Sequence, residues 1–192
     1  MMKIRLAVST IQRDSIVDGE GIRSVIWTQG CAHNCKGCHN PKTHSFCKGV
    51  LVDVEEIKKK ISMLEGQDGI TFSGGDPMEQ PAACADIAQY CHELGMNVWC
   101  YTGYTFEELL KKSKFMPDII NFLQNIDVLV DGKFILEEKS YDAVFRGSKN
   151  QRLIDVPKSL KNGFVVELDR YKKNYFDFDL NFEKNKKCRL YV

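Results

Sequence analysis

Apolar positions along this chain change their period several times, and each change marks an element. Residues 22–28, with Ile22, Val25, Ile26 and Trp27, are rich in β-branched and aromatic side chains and predict a strand. The strand runs into residues 30–41, where Gly30, Gly37, Asn34, Asn40 and Pro41 break any period and predict a loop. Asp53 suits a helix N-cap with Glu55 and Glu56 in the first turn, and Ile57, Ile61 and Leu64 follow at helical spacing until Gly66 or Gly69. Residues 70–73 form a short expected strand, closed by Gly74, Gly75, Asp76 and Pro77. A helix over about 81–94, a strand over 96–101 and a loop at Thr102, Gly103 and Tyr104 come next. Helices near 106–112 and 117–123 lead to a strand over 126–130, which ends at Asp131, Gly132 and Lys133.

Alternating strands and helices predict an α/β fold with a mostly parallel sheet. We expect a single domain over residues 1–169, built as an incomplete (β/α) barrel or a curved sheet. Beyond the fourth strand, residues 151–156 and 164–168 are each compatible with a strand. Residues 170–192 mix Lys, Asn, Asp and aromatics without a period and are expected to form a tail, partly disordered or partner-docking. The glycine-rich and cysteine-rich loops all follow strands. In a parallel sheet the carboxyl ends lie along one edge, so these loops are expected to converge where such folds place their chemistry.

Composition narrows the class. Among 192 residues, 27 basic and 26 acidic side chains leave a net charge of +1, and the basic ones are scattered, which gives no electrostatic case for nucleic-acid binding. No apolar run approaches the ~20 residues that span a membrane. Residues 1–9 are broken by Lys3 and Arg5 and predict no secretory signal, so the cytoplasm is the expected compartment. In that reducing setting the eight cysteines are not expected to form disulfides, and a tight group of them points to a metal.

Cys31, Cys35 and Cys38 offer three thiolates within eight residues of loop. Iron–sulfur clusters are held by such closely spaced runs. A zinc site completed by His33, His39 or His44 is the alternative that spacing leaves open. Cys47, nine residues on, is not excluded as a further ligand. Cys84 and Cys91, seven apart on one helical face, and Cys100 in a strand read as core.

The Cys31, Cys35, Cys38 spacing resembles the signature of the radical S-adenosylmethionine enzymes. Further segments follow in the order of one subgroup: residues 18–23, 28–31, 38–41, 73–77, Trp99 with 102–104, 127–134 and 145–152. That subgroup comprises the activating proteins of the anaerobic ribonucleoside-triphosphate reductase, and the resemblance covers roughly residues 16–156. It implies a 4Fe-4S cluster on the three cysteines, with one iron left for S-adenosyl-L-methionine. It also implies a glycyl-radical activase that acts on the reductase and takes its electron from reduced flavodoxin or ferredoxin. Many members of the wider superfamily carry an aromatic residue before the third cysteine; here it is Gly37.

The resemblance assigns Gly74, Gly75 and Asp76 to the ammonium of S-adenosylmethionine, through exposed carbonyls of a turn that two glycines make permissive. It places Asp131 and Lys133 near the amino-acid part or the ribose, and leaves His39 as the adenine neighbour. Arg23 and Arg146 are candidates for gripping a carboxylate, with a surface ion pair the plainer expectation for Arg23. Asp18 and Gly19 are expected either at the mouth over the cluster or in a hairpin turn.

Overall fold

A computed structural model of the chain describes residues 1–168 and Tyr171. Its centre is four parallel strands: β3 (Arg23–Thr28), β5 (Gly69–Gly74), β6 (Asn97–Tyr101) and β7 (Val128–Asp131). The remaining strands are β1 (Lys3–Leu6), β2 (Gln12–Ser15), β4 (Val50–Asp53) and β8 (Arg152–Asp155). The sheet order is β4-β1-β3-β5-β6-β7-β8, with β2 pairing β3 beside β1.

Period-two alternation sorts the strand side chains onto two faces. Ile26, Ile70, Phe72, Val98, Cys100 and Leu129 point to one face and are fully buried there. Helices α1 (Val54–Ile61), α2 (Pro81–Glu93), α3 (Phe106–Ser113) and α4 (Pro117–Leu123) cover that face. α2 is buried on most of its circumference because Ala83, Cys84, Ile87, Ala88 and Cys91 are small enough to sit between the sheet and its neighbouring helices. The other face carries Trp99, Val128, Val130 and Leu153, with Phe145 edge-on to Trp99 and Tyr171 edge-on to Phe145. α3 starts at a full capping box, Thr105 with Glu108. α5 (Val156–Asn162) stops at Gly163, whose φ of 75° is the left-handed cap.

The architecture is a mixed α/β domain with a largely parallel central sheet. The sheet is open, with β4 and β8 as its two edges, and it does not close into a barrel. Parallel pairing is confined to the four central strands; β1, β2, β4 and β8 all pair antiparallel. β1, β2 and β4 carry little strand signal because each is only four residues long, and β2 is entirely polar. Over residues 164–168 only one bridge forms, Ile154 to Glu167, where a strand was one expectation. The tail expected over 170–192, with Cys188 in it, lies outside the described residues apart from Tyr171.

Candidate functional site

The loops after β3, β5, β6 and β7 meet at the carboxyl edge of the parallel strands, as their positions in the sequence lead one to expect. The first two are bonded backbone to backbone. Gly75 N–H donates to Thr28 O at 2.8 Å and Asp76 N–H to Gly30 O at 2.8 Å. This apposition requires glycine: a Cβ on Gly75 would lie 2.3 Å from Gly30 O, and one on Gly74, where φ is +104°, 2.5 Å from Thr28 O. The cysteine loop is closed at its base by Gly30 N–H to Thr43 O (2.8 Å) and Cys31 N–H to His44 O (3.1 Å).

Within that loop Cys31, Cys35 and Cys38 are half-buried. Asn34 (φ 48°) and Gly37 (φ 75°) take left-handed backbone, so the chain turns tightly between the thiols. Cys38 N–H donates to Cys35 O, and Asn40 N–H points at Cys38 Sγ at 3.4 Å. Burial pushes the Cys31 thiol up to about 11. Among the described residues no three His, Cys, Asp or Glu side chains are gathered to hold a single ion. The donor set nevertheless fits a cluster: three free thiols on one short loop, the first of them next to Gly30, which packs against the glycine turn. Gly37 meets Leu136, since a Cβ there would lie 2.8 Å from Leu136 Cδ1. Leu136 thus lies against the backbone next to the third cysteine.

Asp76 has a role beyond its place in the glycine turn. Its carboxylate is 1 % exposed and is filled by protein donors. Thr102 Oγ1–H lies 2.9 Å from both oxygens, Gly103 N–H 2.9 Å from Oδ2, and Met78 N–H 3.0 Å from Oδ1. The fourth donor is His33, from inside the cysteine loop, with Nε2 2.8 Å from Oδ2. A carboxylate only accepts, so the ring proton sits on Nε2. His33 also meets Tyr104 edge-on at 4.3 Å, and Tyr104 O–H donates to Glu79 at 2.7 Å.

Asp131 ends β7 and is likewise 1 % exposed. It accepts from Phe106 N–H at 2.8 Å, at the start of α3, and from Arg152 Nε at 3.0 Å and Nη2 at 2.5 Å. Arg152 in turn grips Glu107 through two bonds of 3.1 and 2.7 Å. Arg152, unmarked as a site residue in the sequence, is therefore Asp131's partner, while Lys133 stands exposed two residues on. Its signal was its place at the end of the 145–152 block.

Other candidates fall elsewhere. His39 is exposed on the cysteine loop. Arg23 is not a surface residue: it is 1 % exposed, at the opposite, amino edge. Its guanidinium donates to Thr71 Oγ1 (2.7 Å), Ile70 O (2.8 Å), Asn97 O (3.0 Å) and Glu20 O (3.1 Å), and lies over Trp99. Burial there holds its pKa down to about 10. Asp18 and Gly19 pack beside it, Asp18 O accepting from Thr71 and Gly19 lying against Trp99, so they form no mouth over the cysteines. Arg146 donates to Gln151 O (3.3 Å) and Tyr171 O (2.9 Å). Cys84, Cys91 and Cys100 are buried in the core, and Cys47 is exposed.

The half-buried three-cysteine loop thus lies against a glycine turn at the carboxyl edge of the parallel strands. The chain belongs to the 4Fe-4S single cluster domain family, whose family model matches residues 17–154. It is similar to the anaerobic ribonucleoside-triphosphate reductase-activating proteins of Haemophilus influenzae and Vibrio cholerae, being 37% identical to each over 145 residues, 71% of this chain and 89% of theirs. It is also similar to the pyruvate formate-lyase-activating enzyme of Clostridium pasteurianum, at 27% identity over 96% of each chain.

Proposed function

We propose that this chain is a radical S-adenosylmethionine activase of the anaerobic ribonucleoside-triphosphate reductase. Cys31, Cys35 and Cys38 hold three irons of a 4Fe-4S cluster. When bound, the cluster supplies the electron that splits the sulfonium of S-adenosylmethionine, and the resulting 5′-deoxyadenosyl radical takes a Cα hydrogen from a glycine of the reductase. Gly74, Gly75 and Asp76 present their backbone to the amino-acid end of S-adenosylmethionine. The Asp76 carboxylate holds His33, Thr102 and Gly103 in place around that end. Lys133 and His39 flank the ligand from the β7 loop and the cysteine loop, and Asp131 anchors the end of β7 to Arg152 and to the start of α3. Reduced flavodoxin or ferredoxin supplies the electron, in the cytoplasm.

The observation that carries this reading is the seam between the cysteine loop and the glycine turn, closed by the Asp76 N–H to Gly30 O bond. The relatives' names favour the reductase over pyruvate formate-lyase as the target, because those matches are the more identical ones. The test is anaerobic reconstitution with iron and sulfide, then electron paramagnetic resonance with and without S-adenosylmethionine. A reduced-cluster signal that S-adenosylmethionine alters, and that Cys35→Ala abolishes, is expected. A glycyl-radical doublet should then grow when the reductase is added. Stoichiometric zinc with no cluster would overturn the reading.

A further inference from the structure

The chain is nearly neutral as a whole, yet residues 21–52 contain no Asp or Glu. The cysteine loop lies inside that stretch, with Lys36 between Cys35 and Cys38 and Lys42 and Lys48 following. All three lysines are exposed, and no ion pair among the described residues takes any of them. The stretch therefore supplies no acid of its own beside Lys42 and Lys48.

Topology puts these lysines on a particular side. β3 feeds the cysteine loop and stands between β5 and β1 in the sheet. The glycine turn and the loops holding Thr102 and Asp131 lie on the β5 side. Lys42 and Lys48 lie on the β1 side, where Arg5 on β1 donates to Lys48 O at 3.3 Å. Lys42 and Lys48 line one groove of about 490 Å³ with Trp27, Gln29 and Asn40. Asn40 is the residue whose N–H points at Cys38 Sγ, so the groove reaches the back of the cysteine loop. Beside it Phe46, Val50 and Leu51 are about half exposed, at 52%, 45% and 52%. Phe46 lies over Gly30, one residue before Cys31. An apolar centre with a cationic rim is the composition of a protein-docking patch, and charge at such a rim acts mainly on the association rate.

We infer that the face carrying Lys42, Lys48, Phe46 and the β4 edge docks an acidic one-electron carrier protein, away from the side that receives S-adenosylmethionine. The inference rests on the cluster assignment proposed above. The carrier gives up one electron and the cluster takes one; no bond or proton passes between the proteins. Separate flanks let the carrier reach the cysteine loop while the β5–β7 loops are closed over ligand.

The test follows cluster reduction in the reconstituted protein by its visible bleaching. Reduced flavodoxin is one reductant and photoreduced 5-deazariboflavin, a small reductant that needs no docking face, is the other. Lys42→Glu with Lys48→Glu should slow reduction by flavodoxin about tenfold or more and weaken its binding in calorimetry, with deazaflavin reduction unchanged. The wild-type flavodoxin rate should fall as salt rises, and the variant rate should lose most of that dependence. The neutral pair Lys42→Gln with Lys48→Gln should give the same trend at smaller amplitude, and it replaces the Glu pair if that variant loses iron. Charge reversal of remote Lys59 and Lys161 should change nothing. Unchanged flavodoxin rates and affinity in both Lys42/Lys48 pairs would overturn the docking face, as would a single-stranded oligonucleotide that outcompetes flavodoxin through the same lysines. If neither reductant bleaches the wild-type protein, the cluster assignment fails instead.

Discussion

His33 Nε2 lies 2.8 Å from Asp76 Oδ2, and this one bond ties the cysteine loop to the loops that follow β5 and β6. His33 stands between two of the three cysteines, while Asp76 takes Thr102 and Gly103 with its remaining acceptor capacity. Both side chains are out of water, at 6% and 1% exposure. A fully satisfied buried network of this kind rigidifies what it joins.

Removing the Asp76 carboxylate leaves Thr102, Gly103, Met78 and His33 donors facing nothing. Asp76→Ala should cost about 3 kcal/mol in urea unfolding of the metal-free protein, and His33→Ala about 1–2 kcal/mol. The double variant should cost less than the sum, because the first change already breaks the shared bond. Strict additivity would show that His33 and Asp76 do not act as a unit.

The seam between the two loops makes a sharp steric prediction. Gly75→Ala places a methyl 2.3 Å from a backbone oxygen, which cannot swing aside as a side chain would. Gly95 is the control: its φ is +74° but nothing lies within 4 Å of a Cβ there. Gly95→Ala should cost about 1 kcal/mol, the ordinary cost of a left-handed alanine. Gly75→Ala should cost clearly more in thermal unfolding and should blunt the response of the reduced-cluster signal to S-adenosylmethionine. Equal melting of the two variants would mean that the loops separate freely.

Much of this arrangement was legible in the chain. The strand starts and stops around Ile26, Phe72 and Val98 carry strong β-branched and aromatic signals, and each special loop follows one of those strands, so the shared edge was readable. Partners were not readable, because they come from distant positions: Asp76 finds His33 forty-three residues back, and Asp131 finds Arg152 twenty-one residues on. Sequence marks Asp76 and Asp131 as acids at an edge without showing that neighbours fill both carboxylates. Arg23 misleads for the same reason, since nothing local says that Thr71, Ile70 and Asn97 will surround it.

The Asp131–Arg152–Glu107 group sets a pH dependence at the low end. Arg152 bonds to Glu107 and, ahead of the opposing cost of burial, holds the carboxyl below its usual value. A group whose pKa is depressed on folding stabilises fully above its unfolded value and loses that stabilisation as pH falls through the folded one. Stability should therefore decline as pH drops below about 4.5. Glu107→Gln should flatten this limb by less than about 1 kcal/mol, because Glu107 is half exposed and solvent screens the pair. Asp131→Ala should cost about 3–5 kcal/mol at neutral pH, since it strands a partly buried guanidinium and the Phe106 N–H. An Asp131→Ala loss no larger than that of Glu107→Gln would contradict the central place of Asp131.

The cysteines divide by environment, and their chemistry should divide the same way. Cys31, Cys35 and Cys38 are half-buried on one loop, whereas Cys84, Cys91 and Cys100 have no exposure at all. Burial pushes the Cys91 thiol up to about 12 and raises Cys84 and Cys100 as well, so these three stay protonated and unreactive in the folded chain. Iodoacetamide on the metal-free protein should therefore label Cys35, Cys38 and Cys47 first, Cys31 more slowly because burial raises its thiol too, and the core three only after unfolding. Loading the cluster should then protect Cys31, Cys35 and Cys38 while Cys47 stays reactive, because ligation consumes the thiolates that alkylation needs. Substitution should follow the same division. Alanine at any of the three loop cysteines should abolish iron binding with little change in folding of the metal-free chain. Cys91→Ala should retain iron yet lower stability by about 1 kcal/mol for the buried volume lost. Cluster protection that extends to Cys47, with iron lost in Cys47→Ala, would show a fourth cysteine ligand and close the iron that S-adenosylmethionine is proposed to use.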